Sequence, residues 1–397
     1  MAVPDISIVP ESYDEFDLTV RLNKDVEALL DNISPTMVRI LVDVYYQIQE
    51  NRKATANQLL AAKKATQQEP NAFVLMLSAY LMKLEKGIVK ALDKVTDQTA
   101  IGRWCKSNHG VGPVLTAGLG AHIDMGIAKT ASAVLRYGGY DPSVKWHGKE
   151  AVSELIHTAR EIEADDWHAY LWLCRAFGVH PSVVLAQTHE NVEAISIDEA
   201  FPTADDFLVD HPGDKSRADG MMYYGDNVIM AVFDDPAPVY ADIYQDVKLD
   251  WKALQKRWAK RPWNARVKYF YGRLGDSFMK FHNHKDCFYG HLYAERKAKE
   301  VAMNEAGKFG QLARDTLKDR NIRDRDTRQM YESGMLPPGR IELRARRAAV
   351  KMFMCHYFEV AYEERYQQRA PKAYILAHDP EMHTQYVAPP HYTSPYA

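Results

Sequence analysis

Between Gly275 and His291 the chain places Ser277, Lys280, His282, His284, Asp286, Cys287, Tyr289 and His291 close together. Residues of these types support two chemistries. Neutral imidazoles bind zinc or a similar ion, and a serine hydroxyl becomes a nucleophile when a base stands within hydrogen-bond reach. The spacing His282-x-His284 followed by His291 fits a short polar loop as well as a ligand set, and there is no second half-site of the Cys-x-x-Cys type. The expectation is a loop without a metal ion, in which His282 and His284 touch a phosphate or attend Ser277. Tyr289, ahead of Glu295-Arg296-Lys297, offers a tyrosine beside cations, a pattern shared with any charged helix face. In the tail, His378, Asp379, His383 and His391 form a second histidine group that joins such a site only if the tail folds back. No pattern identifies a cofactor.

A more distinctive pattern lies between Trp104 and Trp146. A helix ending near Asn108, the turn Gly110-Val111-Gly112 and a second helix opened by Pro113 and running to about Ile123 read as a helix-hairpin-helix. Glycine permits positive φ and leaves a turn free of side chains. Proline suits a first helical turn, where its missing N–H is no loss. The exposed amides at such a helix start attract a phosphate and hold a nucleic-acid backbone without reading bases. The small residues Thr116, Ala117, Gly118, Gly120 and Ala121 suit close helix packing. Asp124 follows the second helix at a distance where an enzyme acting on an extruded nucleotide would want a carboxylate.

The rest of the chain must position these residues, and its periodicity is helical. Apolar residues at Val38, Leu41, Val42, Tyr45 and Ile48 mark an amphipathic helix that starts at Ser34-Pro35. After Glu69-Pro70-Asn71, a second long helix returns to complete an antiparallel hairpin. Further helices are predicted over 150–163, 164–179, 251–261, 264–281, 291–319 and 340–368. A strand or a buried turn of helix is predicted around 221–233, near Asp226. The fold class is mainly α: a helical hairpin plus a helix-hairpin-helix core, an acidic insertion and a basic C-terminal helical region. The composition places boundaries at 1–100, 101–149, 150–250, 251–370 and an extended tail, 371–397.

Net charge is −3 over 397 residues, but the average conceals a segregation. Residues 150–250 hold 21 acidic and five basic side chains, whereas 251–351 hold 25 basic and 11 acidic ones. Such a basic block points to a polyanion. In it Lys256, Arg257, Lys260, Arg261, Arg266, Lys268 and Arg273 alternate with Trp258, Trp263, Tyr269 and Tyr271, so that cations neutralise phosphates while aromatics stack on an exposed base. Arg340, Arg344, Arg346, Arg347 and Lys351 follow on the last long helix. The four scattered cysteines read as buried thiols of a reducing compartment. With neither a membrane-spanning apolar run nor a basic-then-apolar leader, the expected location is the cytoplasm.

GVGPVLTAGLGAHID and KTASAVLRYGGYDPSVKW resemble the C-terminal helix-hairpin-helix region of the insertion-sequence transposases that act as RNA-guided serine recombinases. RPWNARVKYFYGRLGDSF and RARRAAVKMFMCHYFEVAY resemble, more loosely, the helices that follow in that region. The resemblance covers roughly 100 residues and is distinctive in the hairpin. That family carries an N-terminal RNase-H-like nuclease domain, where residues 1–100 here read as helices. Its serine stands in a Ser-Gly context, where Gly139-Tyr140-Asp141-Pro142-Ser143 is followed here by Val144-Lys145-Trp146-His147-Gly148. The resemblance therefore implies a DNA-binding protein of phage or mobile-element type that keeps the binding frame, with duplex DNA as partner and a homo-oligomer through the N-terminal helices as an option. A DNA-modifying enzyme acting on a flipped nucleotide, and an interaction protein using the acidic block, are the rival expectations.

Overall fold

The computed structural model describes residues 30–31, 33–67, 72–141, 146–177, 181–189, 247–371 and 386–396. Ser143, Asp226, the segment 221–233, His378, Asp379 and His383 lie outside the described residues. Among those described, fourteen helices and no strand are present, which makes the fold mainly α. They belong to two compact units, residues 1–142 with 263–397 and residues 143–262.

The first unit opens with α1 (Pro35–Thr66) and α2 (Ala72–Asp97). Ser34 caps α1 by accepting the Met37 N–H at 3.3 Å, and Gln67 ends it in the left-handed region. Val38, Val42, Tyr46 and Ile48 of α1 and Ile88 and Leu92 of α2 are buried. Farther out along the hairpin, Leu75, Met76, Leu77, Tyr80, Met82 and Leu84 are exposed. Next come α3 (Ala100–Ser107), α4 (Pro113–His122) and α5 (Ala131–Tyr137). Thr99 and Thr130 cap α3 and α5, and the Glu364 carboxylate accepts the first two α3 amides, Ala100 at 2.6 Å and Ile101 at 2.9 Å.

The second unit holds α6 (Lys149–Ile162), α7 (Asp166–Phe177), α8 (Pro181–Thr188) and α9 (Trp251–Trp258). Val152, Ala159, Tyr170, Leu173, Leu185, Leu254 and Trp258 form its core. The compositional boundary at residue 250 thus falls inside this unit, because the apolar side of α9 completes a core begun by the acidic block.

The chain re-enters the first unit beside its point of exit. Asn264 donates its backbone N–H to Tyr137 O at 2.8 Å and its side-chain amide to the Tyr137 hydroxyl at 2.9 Å. Then follow α10 (Ala265–Lys280), α11 (Phe288–Glu305), α12 (Gly310–Asp319), α13 (Arg325–Glu332) and α14 (Pro338–Tyr366). The single helix predicted over 291–319 is two helices, broken where Gly307 takes φ +71°. Phe270, Tyr271, Leu274 and Phe278 of α10 are fully buried, and so are Val350, Phe353 and Met354 of α14. Each such side chain contributes about 1.5–3 kcal/mol by leaving water. Glycines allow the close approach: a Cβ on Gly118 would stand 2.7 Å from the Phe270 ring, and one on Gly138 would stand 2.0 Å from Tyr271.

Part of the tail lies on this core. Trp104 Nε1 donates to Pro390 O at 2.8 Å and Tyr392 donates to Glu363 at 2.9 Å. His356, buried on α14, binds Val387 O through Nε2 at 2.8 Å and the Tyr289 hydroxyl through Nδ1 at 2.7 Å. A carbonyl only accepts, so Nε2 carries the proton and Nδ1 accepts from Tyr289. Burial pushes His356 down to about 4, against a smaller upward push from Val387. No helix among the described residues is long and apolar enough to cross a membrane.

Candidate nucleic-acid interface

The turn between α3 and α4 is built and buttressed. Gly110 takes φ +92°, and the Val111 N–H closes the turn on Asn108 O at 3.0 Å. Ser277 of α10 donates its hydroxyl to Gly110 O at 2.6 Å, and Cys287 donates its thiol to His109 O at 3.3 Å. The His109 ring stacks on His284 with centroids 3.6 Å apart and meets the edge of Phe281 at 4.8 Å. The loop that offers nucleophiles and ligands by sequence therefore holds the hairpin turn in place.

On its outer side the turn is open. Gly112 is exposed, caps α4 without a side-chain bond, and has nothing within 4 Å of where a Cβ would stand. Thr116 makes the first intrahelical bond, to Gly112 O at 3.1 Å, so the Val114 and Leu115 amides lie ahead of it at the positive end of the helix. Val114 and Leu115 help line a cleft of about 430 Å³ with Gly112, Arg273, Ser277 and Lys280, and with Asp276, whose carboxylate is engaged by Arg346. Lys280 is exposed and forms no ion pair among the described residues; Arg273 has a long ion pair with Asp276, at 4.0 Å, and a hydrogen bond with Tyr46. Two cations beside one amide terminus make a seat for an anion. Of the predicted hairpin residues, Gly110 serves the turn's shape, Val111 is buried with its amide spent, and Gly112 faces the cleft.

The predicted arginines and lysines divide by what faces them. Arg344 donates to the buried Glu300 carboxylate at 2.6 Å, and Arg296 binds the same carboxylate. Burial raises the Glu300 carboxyl, and the bonds from Arg344 and Arg296 outweigh it, so it stays below its ordinary value. Arg346 is clamped between Asp276 and Glu342. Arg266 is paired with Asp43 and lies over Tyr46 at 5.4 Å. Lys268 covers the Trp263 ring at 3.8 Å. Lys351 is half-buried, and burial lowers its ammonium. Arg340 and the exposed Arg347 have no carboxylate partner among the described residues. Tyr271 is core rather than a stacking platform, while Tyr269 is exposed.

In the second unit, Arg257 binds Gln187, Arg261 lies over Trp146 at 5.2 Å, and Lys256 is exposed without an ion pair among the described residues; Trp258 is core.

The residues singled out for catalysis are not assembled. Among the described residues no imidazole is bonded to Ser277, whose hydroxyl donates to Gly110 O. His282 Nδ1 donates to Met279 O at 2.7 Å, and His284 accepts the Asp286 N–H at 3.3 Å. Tyr289 is buried against His356. Asp124 accepts the Gly126 N–H at 2.7 Å, lies 3.8 Å from Arg365, and stands at the rim of a separate cleft of about 590 Å³. Among the described residues no group of three or more His, Cys, Asp or Glu side chains could hold a metal ion. Sequence reasoning passed over Tyr46, Gln47, Asn51 and His122, which share a further cleft with Arg266 and Tyr269. The spacing 43, 46, 47, 50, 51 on one helix face is the signal that could have found three of them.

Comparison with protein-family models, with curated proteins and with solved structures finds no match for this chain.

Proposed function

We propose that this chain binds the phosphate backbone of DNA at the open side of the helix-hairpin-helix, in the manner implied by its resemblance to the C-terminal region of insertion-sequence transposases, and that it acts in a phage or another mobile element. One observation carries the reading: the exposed Gly112 end of α4 opens on the same cleft as Lys280 and Arg273. A phosphate there accepts from the Val114 and Leu115 amides while the two side chains supply charge. Arg347 and Arg340, which have no internal carboxylate partner among the described residues, add further backbone contacts. Such contacts position a duplex without reading its sequence.

The test is a titration of the full chain with duplex DNA, single-stranded DNA and structured RNA at two salt concentrations. Duplex affinity falls steeply with salt, by roughly 0.9 log units per log unit of salt for each phosphate neutralised. Salt-independent binding, or none, overturns the proposal. The outward apolar residues of α2 support self-association through the N-terminal hairpin, since a helix apolar all round is normally covered. Light scattering then gives the mass of a dimer, and Leu77→Glu with Leu84→Glu returns it to that of a monomer.

A further inference from the structure

We infer that the cleft between α1 and the start of α10 receives an unpaired nucleobase, an extension that rests on the DNA-binding reading. The cleft is open, about 940 Å³, and its working side chains are Tyr46, Gln47, Asn51, His122, Arg266 and Tyr269. Behind its wall, two buried polar atoms, His122 Nε2 and Arg266 Nε, have no hydrogen-bond partner among the described residues. The exposed Gln47 and Asn51 amides also bond to nothing among the described residues. The neutral Gln47 and Asn51 amides are therefore open to a ligand along one wall.

The charges nearby are already spent, which selects the ligand's class. Asp43 is paired with Arg266, and Glu50 with Lys53 at 3.1 Å. With both cation and carboxylate balanced, the cleft offers an anion little, and a neutral heteroaromatic ring with several polar edges fits better. Tyr269 is 40% exposed, with Arg266 over its ring at 5.5 Å and Tyr46 edge-on at 5.2 Å, and its exposed part offers a surface for stacking. Asparagine and glutamine amides match the paired donor and acceptor of an adenine edge. The phosphate cleft also borders Tyr46, so the two clefts flank one side chain. A backbone seated at Gly112 thus has a place beside it for a base that is out of the stack.

The test uses the full chain and three duplexes: fully paired, with a one-base 2-aminopurine bulge, and with an abasic bulge. The 2-aminopurine bulge binds about tenfold tighter than the abasic one, the effect of one stacked base, and its emission is quenched on binding. Tyr269→Ala removes this preference and leaves affinity for the fully paired duplex unchanged; Tyr269→Phe keeps it. Equal affinity for the two bulges, or unquenched emission, overturns the inference. If the fully paired duplex still binds with steep salt dependence in that case, the backbone reading stands alone. If no duplex binds, both fall.

Discussion

Arg344 and Arg346 on α14 and Arg273 and Lys280 on α10 are the same kinds of residue in the same basic block, yet they have opposite fates. The first pair is turned inward onto Glu300, Asp276 and Glu342. The second pair borders a cleft at the open end of α4. Charge density along the chain does not separate them; the placement of carboxylates does. Glu300 reaches Arg344 from 44 residues away and Asp276 reaches Arg346 from 70. A basic stretch is thus part scaffold and part open surface, and the scaffold arginines hold together the helices that carry the open ones.

This contrast can be broken in several ways. The largest effect is expected at Arg344. Arg344→Glu sets a second carboxylate against buried Glu300 and prevents folding or lowers Tm drastically, while Arg344→Ala costs about 2–3 kcal/mol, less than a fully buried pair because Arg296 still covers Glu300. Calorimetry distinguishes this from a loss of DNA binding alone. At Gly110, alanine must adopt the left-handed region and crowd Ser277, at a cost of about 1–2 kcal/mol. Gly112→Ala meets open space and leaves denaturant midpoints unchanged.

The smallest effect is a pH signature of the scaffold pair. Glu300 titrates below its ordinary value in the folded state, so its contribution is fully present above the unfolded pKa of about 4.3 and is lost as pH falls through the lower folded value. Urea midpoints of the wild type therefore decline more steeply on acidification in that window than those of Glu300→Gln. An identical slope would show that the arginines do not hold the carboxylate.

Some helix boundaries were legible because capping is local: Ser34-Pro35 and Asn264 each announce the helix that follows, whereas the caps Thr99 and Thr130 read as parts of helical stretches. The hairpin turn was legible for the same reason. The break at Gly307 was not, because the charge pattern of α11 continues into α12 and a single glycine is tolerated in many helices. The candidate site was half legible. Gly112 and Arg273 stood out from the sequence, whereas the roles of Ser277, His284 and Cys287 as props for the turn depend on contacts 167 to 178 residues away. Local chemistry marks them as reactive; the fold uses them as donors and stacking surfaces.

The proposed backbone seat is the α4 terminus with Lys280 and Arg273, distinct from the scaffold arginines. The most direct test measures duplex affinity against salt for Arg273→Glu/Lys280→Glu, with Tm recorded on the same protein. The account predicts an unchanged Tm, weaker binding and a salt slope shallower by about one to two units. Wild-type affinity and slope in a folded double variant would contradict it.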